Sequence, residues 1–408
     1  MDSRKLAIVM VGHVDHGKST LIGRLLYDTN SVSSDKIAEL EKASKATDNK
    51  LEFAFLLDHL REEREQGITI DTTQTFFRSQ KREYQIIDAP GHVEFVKNMV
   101  TGAAQATSAV LIVDAKEGVM QQTKRHSYIL SLLGMKNVIV VVNKMDKVNY
   151  SEERYNEILK DIKEVFRKLH LQSIQYIPVS ALDGDNVCNP SQNISWYKGK
   201  TLLGMMDELE LEQEQTECLV IFPVQDVYKR GDKRISVGRL EAGILHVNDE
   251  IMVVQSGQVT TVKSIEKFLE EPVSAKAGEC IGITTEAPLF LERGNVICDK
   301  KANICYKSEI EASIFWMGQE PVRLGEKLII RCDTQETTCE VEEIYSKVNT
   351  GQLVEEEIDA KEMGNLDAGK IRIVTKKPLA FSKFSEYKSI GRFVLLKENN
   401  ICAGGIIL

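Results

Sequence analysis

The sequence predicts a multidomain α/β plus β protein, in which a mostly parallel sheet flanked by helices is followed by two β-barrel domains. Three observations predict it. In the first half, short apolar runs that end at Gly, Asp, Asn or Ser alternate with helical patterns, as a parallel sheet covered on both faces by crossover helices requires. After Thr216 short strand-like runs alternate with turns at Gly231-Asp232, Gly243, Asn248-Asp249 and Gly257, the texture of all-β structure. The 408 residues are enough for two or three domains, each with its own core. The expected divisions are 1–213, 214–301 and 302–408.

The parallel strands are expected at "KLAIVMV", "YQIID", "AVLIVDA", "NVIVVVN" and "QYIPVS". Between Ser33 and Gly67 two helices are expected. In the second of them Phe53, Leu56, Leu57 and Leu60 recur at i, i+3, i+4 and i+7. The charge run "REERE" that follows reads as a solvated face, and the helix "KTLLGMMDELELEQ" closes the first domain. Strands of the second domain are expected in "CLVIFPVQDVY", "RISVGRLEAG", "DEIMVV" and "TTVKSIEKF". Those of the third fall in "EASIFWM", "EKLIIRC", "TTCEVEEIY", "KIRIVT" and "GRFVLL".

Composition narrows the classes of function. With 42% hydrophobic and 28% charged residues the chain is an ordinary globular protein, and its net charge of -9 denies it the bulk positive field that non-specific nucleic-acid binding uses. Nucleic acid is therefore not an expected partner. The eight cysteines form no C-x-x-C pair and no zinc spacing, and read as reduced thiols of a cytoplasmic protein. Arg4 and Lys5 before "LAIVMV" imitate the start of a signal peptide, but the apolar run stops after a strand's length at a Gly-rich turn. No run approaches the roughly 18 apolar residues that a membrane helix needs.

The stretch "GHVDHGKST", Gly12, His13, Val14, Asp15, His16, Gly17, Lys18, Ser19 and Thr20, follows the first expected strand. Gly12, Gly17, Lys18 and Ser19 fit G-x-x-x-x-G-K-S/T, whose glycines let backbone N–H groups face a phosphate while the next helix adds its positive end. Lys18 would reach the β- and γ-phosphates and Ser19 would ligate Mg²⁺. A metal cluster of His13, Asp15 and His16 is the alternative, but a phosphate loop points its backbone, not its side chains, into the site. His13 and His16 are then surface or packing residues.

Two further strand ends choose the nucleotide. "DAPGH" supplies Asp88, which can hold Mg²⁺ through its water, and Gly91, whose N–H can meet a γ-phosphate. "NKMD" supplies Asn143, Lys144 and Asp146. The Asp146 carboxylate can accept from guanine N1–H and the 2-amino group together, donors that adenine lacks there. "SAL", Ser180, Ala181 and Leu182, completes the set by offering backbone to guanine O6. The first domain therefore reads as a P-loop GTPase domain binding GTP or GDP with Mg²⁺. In "REQGITID", Thr69 is the candidate hydroxyl that joins Mg²⁺ and senses the γ-phosphate, as a switch loop does. His92 has the position to orient the attacking water, with Val14 and Ile68 as screens; its plain alternative is a packed or solvent-facing histidine.

These motifs resemble the translational-factor class of GTPases, the group that includes elongation factor Tu, and the resemblance covers the whole chain. Within that class "LLDHLREEREQGITID", "QQTKRHSYILSLLG", "IFWMGQEPVRLGEKL" and "GRFVLLKENNICAGGII" look like the GTPase subunit of bacterial sulfate adenylyltransferase. Where that subunit reads G-S-V-D-D-G-K-S-T and D-T-P-G-H-E, this chain has His13, His16, Ala89 and Val93, the elongation-factor spelling. The resemblance implies a partner: a separate nucleotidyltransferase subunit that makes adenosine 5′-phosphosulfate from ATP and sulfate while this chain hydrolyses GTP. The competing expectation is a carrier of aminoacyl-tRNA. Residues 304–408 hold 14 Lys and Arg against 17 Asp and Glu, which gives a tRNA-binding face little support.

Overall fold

The computed structural model describes residues 5–33, 35, 37, 53, 73–89, 106–135, 137–169, 171, 174–209, 219–231, 233–267, 270–287 and 289–408. The chain forms two compact units, one of residues 1–211 with 350–354 and one of 212–349 with 355–408.

The first unit is built on a six-stranded sheet of β1 (Leu6–Gly12), β2 (Thr73–Arg78), β3 (Glu83–Asp88), β4 (Ser108–Asp114), β5 (Asn137–Asn143) and β6 (Ile174–Pro178), in the order β2-β3-β1-β4-β5-β6. All neighbours run parallel except β2, which pairs antiparallel with β3. Every residue of β4 is buried, and β5 is buried from its second residue on, which is why these runs carry no polar alternation. On β2, by contrast, Thr73, Thr75 and Phe77 alternate with exposed Gln74, Phe76 and Arg78, so the sequence reading, tuned to apolar runs, did not include it.

The α-helices with described bounds are α1 (Lys18–Asp28), α2 (Gln121–Leu132), α3 (Glu152–Lys168) and the short α4 (Leu202–Met206), and a 3-10 turn spans Met145–Val148. On α1 Leu21, Ile22, Leu25 and Leu26 join the core formed by Ile8, Met10 and their neighbours in the sheet. Ser151 caps α3 by accepting from the Arg154 N–H, with Glu152 and Glu153 in the first turn and Arg167 and Lys168 in the last, all favourable to the helix dipole. α4 is shorter than the helix expected over 200–213. It ends at Met206 because Asp207 turns back to the β2–β3 hairpin: its carboxylate accepts from Ser79 Oγ at 2.7 Å and Tyr84 OH at 2.5 Å. Arg82 holds the Asp207 and Leu209 carbonyls. Residues 210–218 and most of the helical segments expected over 33–67, including the "REERE" run, lie outside the described residues.

The second unit holds a closed six-stranded barrel, made by strands Ile221–Arg230, Lys233–Arg239, Glu250–Val253, Val259–Glu266, Cys280–Thr285 and Val296–Asp299. It also holds a seven-stranded sheet over 305–407, in which Lys327–Cys332 pairs with both Arg392–Lys397 and Gln335–Asn349 and so closes a ring. Each has its own apolar core, and Ile221, Ala242 and Val296 meet Ala380, Tyr387 and Ile390 where the two pack together. The last strand, Asn400–Ile407, was not among the expected ones, its sequence "NICAGGII" being glycine-rich with no strand-like alternation. Gly405 is required there: a Cβ would lie 2.5 Å from Phe393 Cζ and 2.9 Å from Ile314 Cγ2.

Candidate functional site

The strand order places β1 between β3 and β4, strands from either side of it in the sheet. The chain therefore leaves β1 at a crevice of the kind in which open α/β sheets bind ligands, beyond the carboxyl ends of the strands. Gly12 ends β1 and α1 begins at Lys18. The turn between them uses two left-handed residues, Asp15 at φ +62 and Gly17 at φ +87. Gly17 is obligatory on two counts: its φ, and the 2.5 Å that would separate a Cβ from Asn143 Nδ2. It stands at the N-cap of α1 with no side-chain cap, which leaves first-turn N–H groups to the loop.

Lys18 is buried, and its Nζ donates to the Gly12 carbonyl at 3.0 Å and the His13 carbonyl at 3.3 Å. Burial pulls its pKa below the usual lysine value, against the pull of the Asp88 and Asp15 carboxylates. Such an ammonium is pre-positioned in the loop and poorly hydrated, so an anion arriving there gains more than it would from a solvated lysine. Ser19 and Thr20 are half-buried in the first turn of α1, and Val14 is half-buried in the loop.

His16 is not a ligand in waiting. It is wholly buried. Its Nδ1 lies between the Asp114 N–H at 3.3 Å and the Ile112 carbonyl at 3.2 Å, and its Nε2 is 3.1 Å from Glu117 Oε2. Burial lowers its pKa, which favours the uncharged ring. His13, half-buried, meets the His16 ring edge-on with centroids 5.2 Å apart. Among the described residues no three His, Cys, Asp or Glu side chains group as metal ligands.

Asp88, at the end of β3, is buried and close enough to Lys18 for the two charges to interact. Gly91 and His92, next along that segment, and Thr69 with Ile68, lie outside the described residues.

At the end of β5 Asn143 joins two loops that are far apart in the chain. Its Nδ2 donates to the His16 carbonyl at 2.9 Å, and its Oδ1 accepts from the Ala181 N–H at 3.0 Å. Lys144, left-handed at φ +61, donates to the Asp15 carbonyl and pairs with Asp114 at 2.8 Å. Asp146 accepts from Ser180 Oγ at 2.8 Å, and Arg24 NH1 holds the Leu182 carbonyl at 3.3 Å. The structure thus brings 12–20, 143–146 and 180–182 into one cluster. Asp114 belongs to it as the anchor of Lys144, a role the sequence reading missed; the only signal was an Asp ending the apolar run "AVLIV".

The family model described as elongation factor Tu GTP binding domain matches residues 3–216, and that described as GTP-eEF1A C-terminal domain-like matches 309–408. The chain is 38% identical to sulfate adenylyltransferase subunit 1 of Aeromonas salmonicida, over 98% of this chain and 85% of that one. It is 36% identical to elongation factor 1-alpha of Methanopyrus kandleri, over 99% and 97% respectively. The bifunctional enzyme NodQ of Rhizobium meliloti is also 36% identical, over 98% of this chain and 63% of its own length.

Proposed function

The chain belongs to the elongation factor Tu GTP-binding family, and on that premise we propose that it is the GTP-hydrolysing subunit of a sulfate adenylyltransferase. A separate nucleotidyltransferase subunit would form adenosine 5′-phosphosulfate from ATP and sulfate, and GTP hydrolysis here would drive that unfavourable reaction forward in the cytoplasm. One observation carries the GTPase half of this reading: the Asn143 side chain ties the phosphate loop to the 180–182 loop, so one residue registers the phosphate end of the site against the base end.

In this site Lys18 and the N–H groups of residues 13–20 take the β- and γ-phosphates. Asp146, held by Ser180, accepts from guanine N1–H and the 2-amino group. The Ala181 N–H is already given to Asn143, so the Leu182 N–H is the donor left for guanine O6. Mg²⁺ suits the donor set, since Ser19 and Asp88 offer hard oxygens beside the buried Lys18; Thr69 would complete it. When bound, the ion would offset the charge that develops on the phosphate oxygens. His92 orients the attacking water, and Thr69 senses whether the γ-phosphate is present.

A second reading, a carrier of aminoacyl-tRNA, draws on the elongation factor 1-alpha relative. The test is GTP hydrolysis by this chain with its copurifying nucleotidyltransferase, with and without ATP plus sulfate. Stimulation by ATP and sulfate together, with adenosine 5′-phosphosulfate accumulating, is expected. Hydrolysis indifferent to both, with retention of the GTP form on immobilised tRNA, would replace the first reading with the second.

A further inference from the structure

Behind the base end of the site lies a carboxylate with an unusual number of donors. Asp185 Oδ1 accepts from Ser191 Oγ at 2.6 Å, and Oδ2 accepts from Tyr150 OH at 3.0 Å. Asn193 Nδ2 sits 3.3 Å from both oxygens. The Asp185 carbonyl in turn accepts from the Ser180 N–H at 3.2 Å, and Ser180 is the residue whose hydroxyl holds Asp146. A continuous chain of hydrogen bonds therefore runs from 191–193 through Asp185 and Ser180 to the carboxylate assigned to guanine.

The other end of the clamp is strained. Asn149 and Tyr150 are consecutive left-handed residues, at φ +51 and +55, a conformation unfavourable for residues that carry a Cβ. It is held by the Tyr150 N–H on the Met145 carbonyl at 2.8 Å and by Trp196 Nε1 on the Tyr150 carbonyl at 2.9 Å. The strained backbone delivers the Tyr150 phenol to Asp185 and, at 3.4 Å, to Asp183. Asp146, Asp183 and Asp185 crowd one small region, and their mutual repulsion would open the 180–185 turn unless donors offset it. Burial, then these carboxylates, raise the phenol's pKa, so Tyr150 remains a donor at any working pH.

We infer that Asp185, clamped by Tyr150, Ser191 and Asn193, is a positioning residue for guanine selectivity: it fixes the turn from which Ser180 aims Asp146 at the base. The inference rests on the reading of Asp146 as the guanine contact. A role confined to folding would weaken all nucleotides alike, whereas a positioning role acts on the donors that distinguish guanine.

The test is calorimetric titration of GDP and of inosine diphosphate, which lacks the 2-amino group, against the wild-type chain and D185A, D185N, Y150F and D146N. D185A is expected to weaken GDP by about tenfold and inosine diphosphate by no more than about threefold, the loss of roughly one charge-assisted contact to the extra donor. Y150F should shift the ratio the same way by less. Equal losses for the two nucleotides, or no loss, would overturn the inference while leaving Asp146 in place if D146N alone abolishes the preference. A wild-type chain with no preference, or D146N that keeps it, would remove the Asp146 reading and this inference together. Should D185A not fold, D185N and Y150F, which preserve shape, decide by the same ratio.

Discussion

Replacing Asn143 by alanine removes a side chain that is 1% exposed and makes two hydrogen bonds, of 2.9 and 3.0 Å, to backbone groups on separate loops. The His16 carbonyl and the Ala181 N–H are then left facing a small void. Each orphaned buried group costs about 1–3 kcal/mol, less whatever an entering water recovers. A loss of about 2–4 kcal/mol is therefore expected, shared between unfolding of the first unit and nucleotide binding, because the phosphate and base loops no longer hold one another in register. Urea unfolding with and without GDP separates the two parts, and titration of GDP reads the second directly, with affinity expected to fall at least about tenfold. Asn143→Asp is the informative companion: it keeps an acceptor for Ala181 but sets an oxygen against the His16 carbonyl, so it should be no better than alanine. If Asn143→Ala lowers stability by less than about 0.5 kcal/mol and leaves GDP affinity within about twofold, the bridge has no energetic meaning and the reasoning fails.

Four further outcomes are expected. His92→Ala should keep GTP binding and lose hydrolysis; full turnover in that variant removes His92 from the chemistry. Asp146→Asn should weaken GTP and admit xanthosine triphosphate, whose 2-oxygen can accept from the amide; unchanged guanine preference in competition binding refutes the assignment. Burial holds His16 and His126 below the ordinary histidine pKa, so the folded chain keeps them neutral while the unfolded chain binds protons near pH 6.5. Their contribution is full above that pH and is lost as pH falls toward the lowered folded values, by at most about 1.4 kcal/mol per unit for each ring. A urea midpoint that does not move between pH 7.5 and 5.5, or a slope that His126→Leu leaves unchanged, contradicts this. Gly405→Ala should cost about 1–3 kcal/mol through the contacts with Phe393 and Ile314, and a guanidinium midpoint equal to the wild type's would show that the C-terminal sheet yields there.

Whatever rests on local pattern is legible in the residues alone. The apolar runs of β1, β3, β4 and β5 announce strands buried on both faces, and "GHVDHGKST" after β1 announces the turn that Gly17 makes, because backbone conformation and period are properties of neighbouring residues. The α/β unit followed by a barrel and a second closed sheet was legible for the same reason. Which residues answer one another depends instead on long-range packing. Asn143 meets a carbonyl 127 residues away and an N–H 38 residues away, and Asp114 meets Lys144 only because β4 and β5 are neighbours in the sheet. His16 is a ligand candidate by spacing and an interior hydrogen-bonded ring by position. β2 and the last strand, half polar or glycine-rich, become strands through pairing with β3 and with 305–316 and 392–397, since a ladder supplies the hydrogen bonds that their own side chains do not predict.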